Sequence, residues 1–92
     1  MTTYIMFGKF ATGAVKEISA ERTKKSAEIV ESCGGKGKSL YALLGETDVL
    51  AIADFPSLEQ AMKASVELTK LLGISFVTSP AITVEDFDKL FE

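Results

Sequence analysis

Lys9 and Asp48 are the first residues in this chain whose types and spacing could support chemistry. Lys9 closes the aromatic and branched stretch TYIMFGKF, residues 3–10, and Asp48 follows the turn-like Gly45-Glu46-Thr47. If these segments pair as antiparallel strands, the ammonium and the carboxylate can meet across the pair. Arg22, three residues past Ser19, falls in the first turn of a helix, where free backbone amides and the helix dipole favour an anion. Lys16 adds positive charge from the preceding loop. Together these groups could hold a small carboxylate or phosphate. Tyr4 and Tyr41 add hydroxyls that can orient a ligand.

Each of these residues also has a plain structural reading. Lys9 and Asp48 can form an ordinary ion pair, and Asp48 can fix its turn by bonding nearby backbone. The tyrosines can lie in the core with satisfied hydroxyls.

The chain contains no His, Trp or Asn and a single cysteine, Cys33. Without imidazole there is no Ser-His or Cys-His nucleophile pair, no usual haem ligand and no histidine for a zinc or iron site. No metal site and no cofactor is expected. Glu85, Asp86 and Asp88 lack the alternating spacing of a calcium loop. The run Gly34-Gly35-Lys36-Gly37 does not match a phosphate loop, whose lysine precedes Ser or Thr at the start of a helix. Cys33 stands at a helix C-terminus, where the dipole opposes a thiolate, and reads as a small apolar residue. A general base would have to be Asp48, Asp54, Lys9 or a tyrosine.

These residues are carried by 92 amino acids, 47% hydrophobic and 25% charged, which suits one folded domain over residues 1–92. The net charge of −3 gives no basic footprint for nucleic acid. No basic leader or long apolar run points to export or to a membrane. One thiol suits a reducing compartment, so a cytoplasmic location is expected.

The elements read in order. Residues 3–10 form a strand with Ile5 and Phe7 on one face and Tyr4, Met6 and Phe10 on the other. Residues 11–18 form a loop around Gly13. Ser19 caps a helix from about Ala20 to Cys33, stopped by Gly34-Gly35, with Glu21 and Lys25 four apart. Its modestly apolar face holds Ala20, Thr23, Ala27, Ile29 and Val30. Residues 38–44 and 48–55 form an antiparallel hairpin across the turn at 45–48. Pro56 ends it, and Ser57-Leu58-Glu59-Gln60 is a capping box for a second helix that runs to Leu72 and stops at Gly73. Residues 74–83 form a fourth strand, and Pro80 places it at a sheet edge. The tail VEDFDKLFE makes one or two helical turns, with Phe87 and Leu90 or Phe91 spaced to dock.

This order predicts an α+β, ferredoxin-like βαββαβ fold: a four-stranded antiparallel sheet, two helices on one face and a short C-terminal helical turn. Strands one and three should lie in the middle. In strand three, Val49, Ala51, Ala53 and Phe55 point one way and Leu50 and Ile52 the other, so both faces are apolar, and which one meets the helices stays open. Two helices cover one face only. A second copy of the chain is expected on the other, burying more than roughly 1,000 Å² in a two-fold pair.

The segments YIMFGKF (4–10), CGGK (33–36), LLGETDVLAIADFP (43–56) and AITVEDF (81–87) resemble the GYD domain family, over nearly the whole chain. Gly45 and Asp48 fit the Gly-x-Tyr-Asp signature, while Thr47 stands where the tyrosine is usual, so an aromatic ring is missing. The resemblance implies a dimeric α+β barrel and brings no established activity with it.

Three functions follow as expectations. The first is an oligomeric module that binds a small, anionic molecule through Lys9, Asp48, Arg22, Tyr4 and Tyr41. The second is a cofactor-independent dimeric α+β barrel enzyme, an oxygenase or isomerase; such oxygenases resemble users of Asn, Trp and His, which this chain lacks. The third is a structural or partner-binding protein without a pocket.

Overall fold

The computed structural model describes residues 1–11 and 19–92. The elements follow as β1 (Thr2–Phe10), α1 (Ala20–Ser32), β2 (Lys36–Ala42), β3 (Val49–Phe55), α2 (Leu58–Leu72), β4 (Ile74–Ala81) and α3 (Val84–Lys89). The expected loop at Gly13 and the charge of Lys16 lie outside the described residues.

The four strands form one antiparallel sheet in the order β2-β3-β1-β4, the ferredoxin-like arrangement. β1 and β3 are central, and β4 with Pro80 is an edge, where a residue without an amide proton costs no ladder bond. In β1–β3 the register sets Phe7 opposite Leu50 and Met6 opposite Ala51.

Local chemistry sets the element ends. Ser19 Oγ accepts from the Arg22 amide and Ser57 Oγ from the Gln60 amide, so each serine satisfies a donor left open in the first turn of its helix. Gly34 (φ +74°) and Gly73 (φ +67°) take the left-handed conformation just beyond the helix ends, which a side chain would oppose. Glu21 and Lys25 form the four-apart ion pair at 3.6 Å.

Several boundaries differ from the sequence reading. β2 starts at Lys36 and ends at Ala42, two residues earlier than expected at each end. The reason lies in the hairpin: the Leu43 amide donates to the Asp48 carbonyl at 2.8 Å, closing the loop early and leaving Leu44 in solvent. The β2–β3 register also slips between Gly37 and Ser39, leaving Lys38 without a cross-strand partner. β4 ends at Ala81, and the chain turns through Ile82 and Thr83 into α3.

The face of β3 that meets the helices is the one carrying Ala53 and Phe55. These pack with Tyr4 and Met6 of β1 and with Ala61, Ala64 and Leu68 of α2 into the core, to which Cys33 also belongs. The opposite face, with Ile5, Phe7, Leu50, Ile52, Tyr41 and Val77, has no layer over it among the described residues; Tyr41 and Val77 are well exposed. α3 is capped by Thr83, whose hydroxyl accepts from the Asp86 amide, yet none of its residues is buried.

Candidate functional site

A cleft opens between α1 and the sheet because side chains are small on both walls. α1 contributes Thr23, Ser26 and Ala27, the floor contributes Ala51 and Ala53, and no residue of α1 is buried. The C-terminal half of the helix packs down through Ile29 and Val30. Its first turn is tied elsewhere: Arg22 Nη2 donates to the Leu71 carbonyl at 2.8 Å, fixing the start of α1 to the end of α2. The guanidinium thereby also meets the negative end of the α2 dipole.

The resulting cavity has a volume of ≈ 450 Å³. Its apolar surface comes from Met6, Val30, Leu40, Leu68, Leu72 and Phe76, while Ser19, Arg22, Ser26 and Glu31 supply polar groups. A volume in the range of about 300–1,000 Å³ with mostly apolar walls and few polar groups is the form of a small-molecule site. Sequence reasoning set Arg22 in a site with Lys9 and Asp48 and did not foresee this cleft, since no local pattern reports the separation of a helix from a sheet. The weak apolar face of α1 was the available signal.

The five candidate residues do not converge. Arg22 lines the cavity. Tyr4 is 3% exposed and stacks edge-to-face on Phe55, with ring centroids 5.9 Å apart, as part of the core. Tyr41 pairs with Leu50 on the open face of the sheet, and its exposure is 56%. Lys9 stands on that same face, exposed at the end of β1. Asp48 acts as a clasp: its Oδ2 accepts from the Phe10 amide at 2.8 Å and its amide donates to the Gly8 carbonyl at 2.8 Å. Among the described residues no ion pair joins it to Lys9.

Among the described residues, one carboxylate has a shifted acidity. The hydrogen bond from Thr3 Oγ1 to Asp54 Oδ1, 2.6 Å long, holds the Asp54 carboxyl below its ordinary range, and Lys38 at 3.1 Å adds to the effect. Asp54 is therefore a firmly ionised group on the open face and a weak base. Among the described residues, no group of three Cys, Asp or Glu side chains is placed to hold a metal ion, and no helix is long and apolar enough to cross a membrane.

No curated protein matches the chain. Among solved structures, the chain is similar to a leucine response regulatory protein, LrpA, of Mycobacterium tuberculosis, with a TM-score of 0.59, 7% identity and coverage of 89% of this chain and 51% of that one. A second structure, described only as a point mutant, gives a TM-score of 0.58 at 7% identity and covers 89% of this chain and 50% of its own. The chain thus spans about half the length of either, and at this identity the likeness speaks for the fold alone. The model of the GYD domain matches residues 4–91, nearly the full length, and the chain belongs to the GYD domain family.

Proposed function

We propose that this protein is a binding module for a small molecule with an apolar body, seated in the cleft beneath α1, and that it works as a homodimer stacked through the open face of its sheet. The cavity of ≈ 450 Å³ carries this reading. A carboxylate or similar anionic group on the ligand would sit at the Arg22 side of the cleft, while the hydrocarbon part lies among Val30, Leu68 and Phe76. Dimerisation is supported by the apolar side chains of the uncovered face, which a monomer would leave in water. The single thiol and the net charge of −3 fit a cytoplasmic module that does not engage nucleic acid.

A cofactor-free enzyme draws less support. The carboxylate of Asp48 is taken by the Phe10 amide, Tyr4 is packed in the core, and Asp54 is held ionised on the other side of the sheet. The cleft also speaks against a partner-binding protein without a pocket.

Native mass spectrometry of the protein purified from cells tests the reading. A dimer carrying a fixed extra mass is expected. A monomer would remove the dimer from the proposal.

A further inference from the structure

α3 is six residues long, and a helix of that length is not stable in water by itself. It is nevertheless capped, its Phe87 and Phe91 rings lie 5.2 Å apart, and both are open to solvent, at 51% and 76%. The molecule is 49 Å in its longest dimension, with a radius of gyration of 13.8 Å against about 12 Å for a compact chain of this length. A formed apolar element with none of its own residues buried calls for a surface elsewhere.

We infer that α3 of one protomer docks on a second copy of this chain, over the start of its β2, with the acidic side chains of α3 facing Lys36 and Lys38 of the partner subunit. The inference rests on the sheet-to-sheet pairing proposed above. β4 is one edge of the sheet and β2 the other. The inferred pair has its two-fold axis along the strands, which sets β2-β3-β1-β4 against β4-β1-β3-β2, so each β4 comes to lie opposite the partner's β2, where the charges of tail and sheet are complementary. The end of β4 is level with the start of β2, since Ala81 pairs with Thr3, Thr3 with Asp54 and Asp54 with Lys36. The tail leaving Ala81 therefore arrives where the lysines are.

Charge and area agree. The segment after Thr83 carries Glu85, Asp86, Asp88 and Glu92 against one lysine, Lys89. Lys36 shares the open face with Lys38 and Asp54, and among the described residues it has no ion-pair partner. A face of four strands, each about 26 Å long at a spacing of about 4.8 Å, projects to about 500 Å². As flat projections two faces come to about the 1,000 Å² at which a specific interface begins, and two docked tails add to it.

The test is a dilution series of the full chain by sedimentation velocity. Asp86→Lys with Asp88→Lys should raise the dimer dissociation constant about tenfold or more, Lys36→Glu with Lys38→Glu should do the same, and the four changes together should recover most of the loss. Because the lysine changes also remove the Lys38–Asp54 ion pair, Phe87→Ser with Phe91→Ser gives an independent probe confined to α3, and it too should weaken the dimer. Unchanged dissociation in the α3 variants, with a wild-type dimer that Leu50→Glu disrupts, would overturn the docking of α3 and leave the sheet pairing standing. A wild-type monomer at every concentration would overturn both.

Discussion

Asp48 and Phe10, thirty-eight positions apart, are joined by a hydrogen bond of 2.8 Å from the Phe10 amide to the Asp48 carboxylate, just where β1 runs past the end of its pairing with β3. The bond extends the central ladder by one side chain. Asp48→Ala leaves that amide without its acceptor and should cost about 1–2 kcal/mol in urea unfolding, whereas Asp48→Asn, which keeps an acceptor oxygen, should cost less. Both should retain the affinity of the cleft for an apolar probe. A neutral Asp48→Ala would show that the clasp contributes nothing.

Gly8 sits on the helix side of β1, where β4 passes close. A methyl group there would come within 2.7 Å of Ile74 Cγ2 and 2.8 Å of the Phe76 ring. Gly8→Ala should therefore destabilise the fold by about 1–3 kcal/mol, as overpacking does when a strand has to shift. Thermal unfolding followed by circular dichroism checks it, and an unchanged midpoint would mean that Ile74 and Phe76 move aside freely.

The acidity of Asp54 gives a prediction with a definite sign. Its folded pKa is depressed, chiefly by Thr3 and then by Lys38, so its contribution is fully present above the unfolded value of about 3.9 and is lost as pH falls through the lower folded value. Stability measured from pH 6 down to pH 2 should fall less steeply at the acidic end in Asp54→Asn than in the parent. Parallel curves would show that the Thr3 and Lys38 contacts do not favour the ionised form.

Leu50 faces away from the helices and pairs with Phe7 near the centre of the open face. Leu50→Glu would place an unpaired charge between two apolar sheets, at a cost of about 3–5 kcal/mol to association. Size-exclusion chromatography with light scattering should then report monomer or aggregate. A clean dimer would contradict the stacked-sheet arrangement.

Much of the fold is legible residue by residue. Ser57 capping forward onto Gln60, Pro80 in an edge strand, and the stops at Gly34 and Gly73 depend on local geometry, which the sequence encodes directly. The shift of β2 was hidden because Leu43 and Leu44 look like strand residues, while the loop-closing bond from Leu43 to Asp48 and the slip at Lys38 are set by pairing with β3. The inward face of β3 was hidden for another reason: Leu50 and Ile52 are as apolar as Val49 and Phe55, so periodicity has nothing to choose between. Of the residues that line the cleft, Arg22 has its place in a helical first turn written in its spacing from Ser19, while its neighbours across the cleft are not. Tyr4 and Tyr41 look alike in sequence, and only strand parity against the core separates them. The cleft depends on Ala27, Ala51 and Phe76 from three elements, a coincidence that no single stretch of chain records.

Whether that cleft takes a ligand is open to direct measurement. Titration with 1-anilinonaphthalene-8-sulfonate, an apolar anion, compares the wild type with Ala27→Leu/Ala51→Leu, which adds bulk to two walls of the cavity lined by α1 and β3. Saturable binding at one probe per chain is expected in the wild type and a loss of affinity of about tenfold or more in the variant, with the thermal midpoint kept or raised by the filled space. Equal affinity in a folded variant would contradict it.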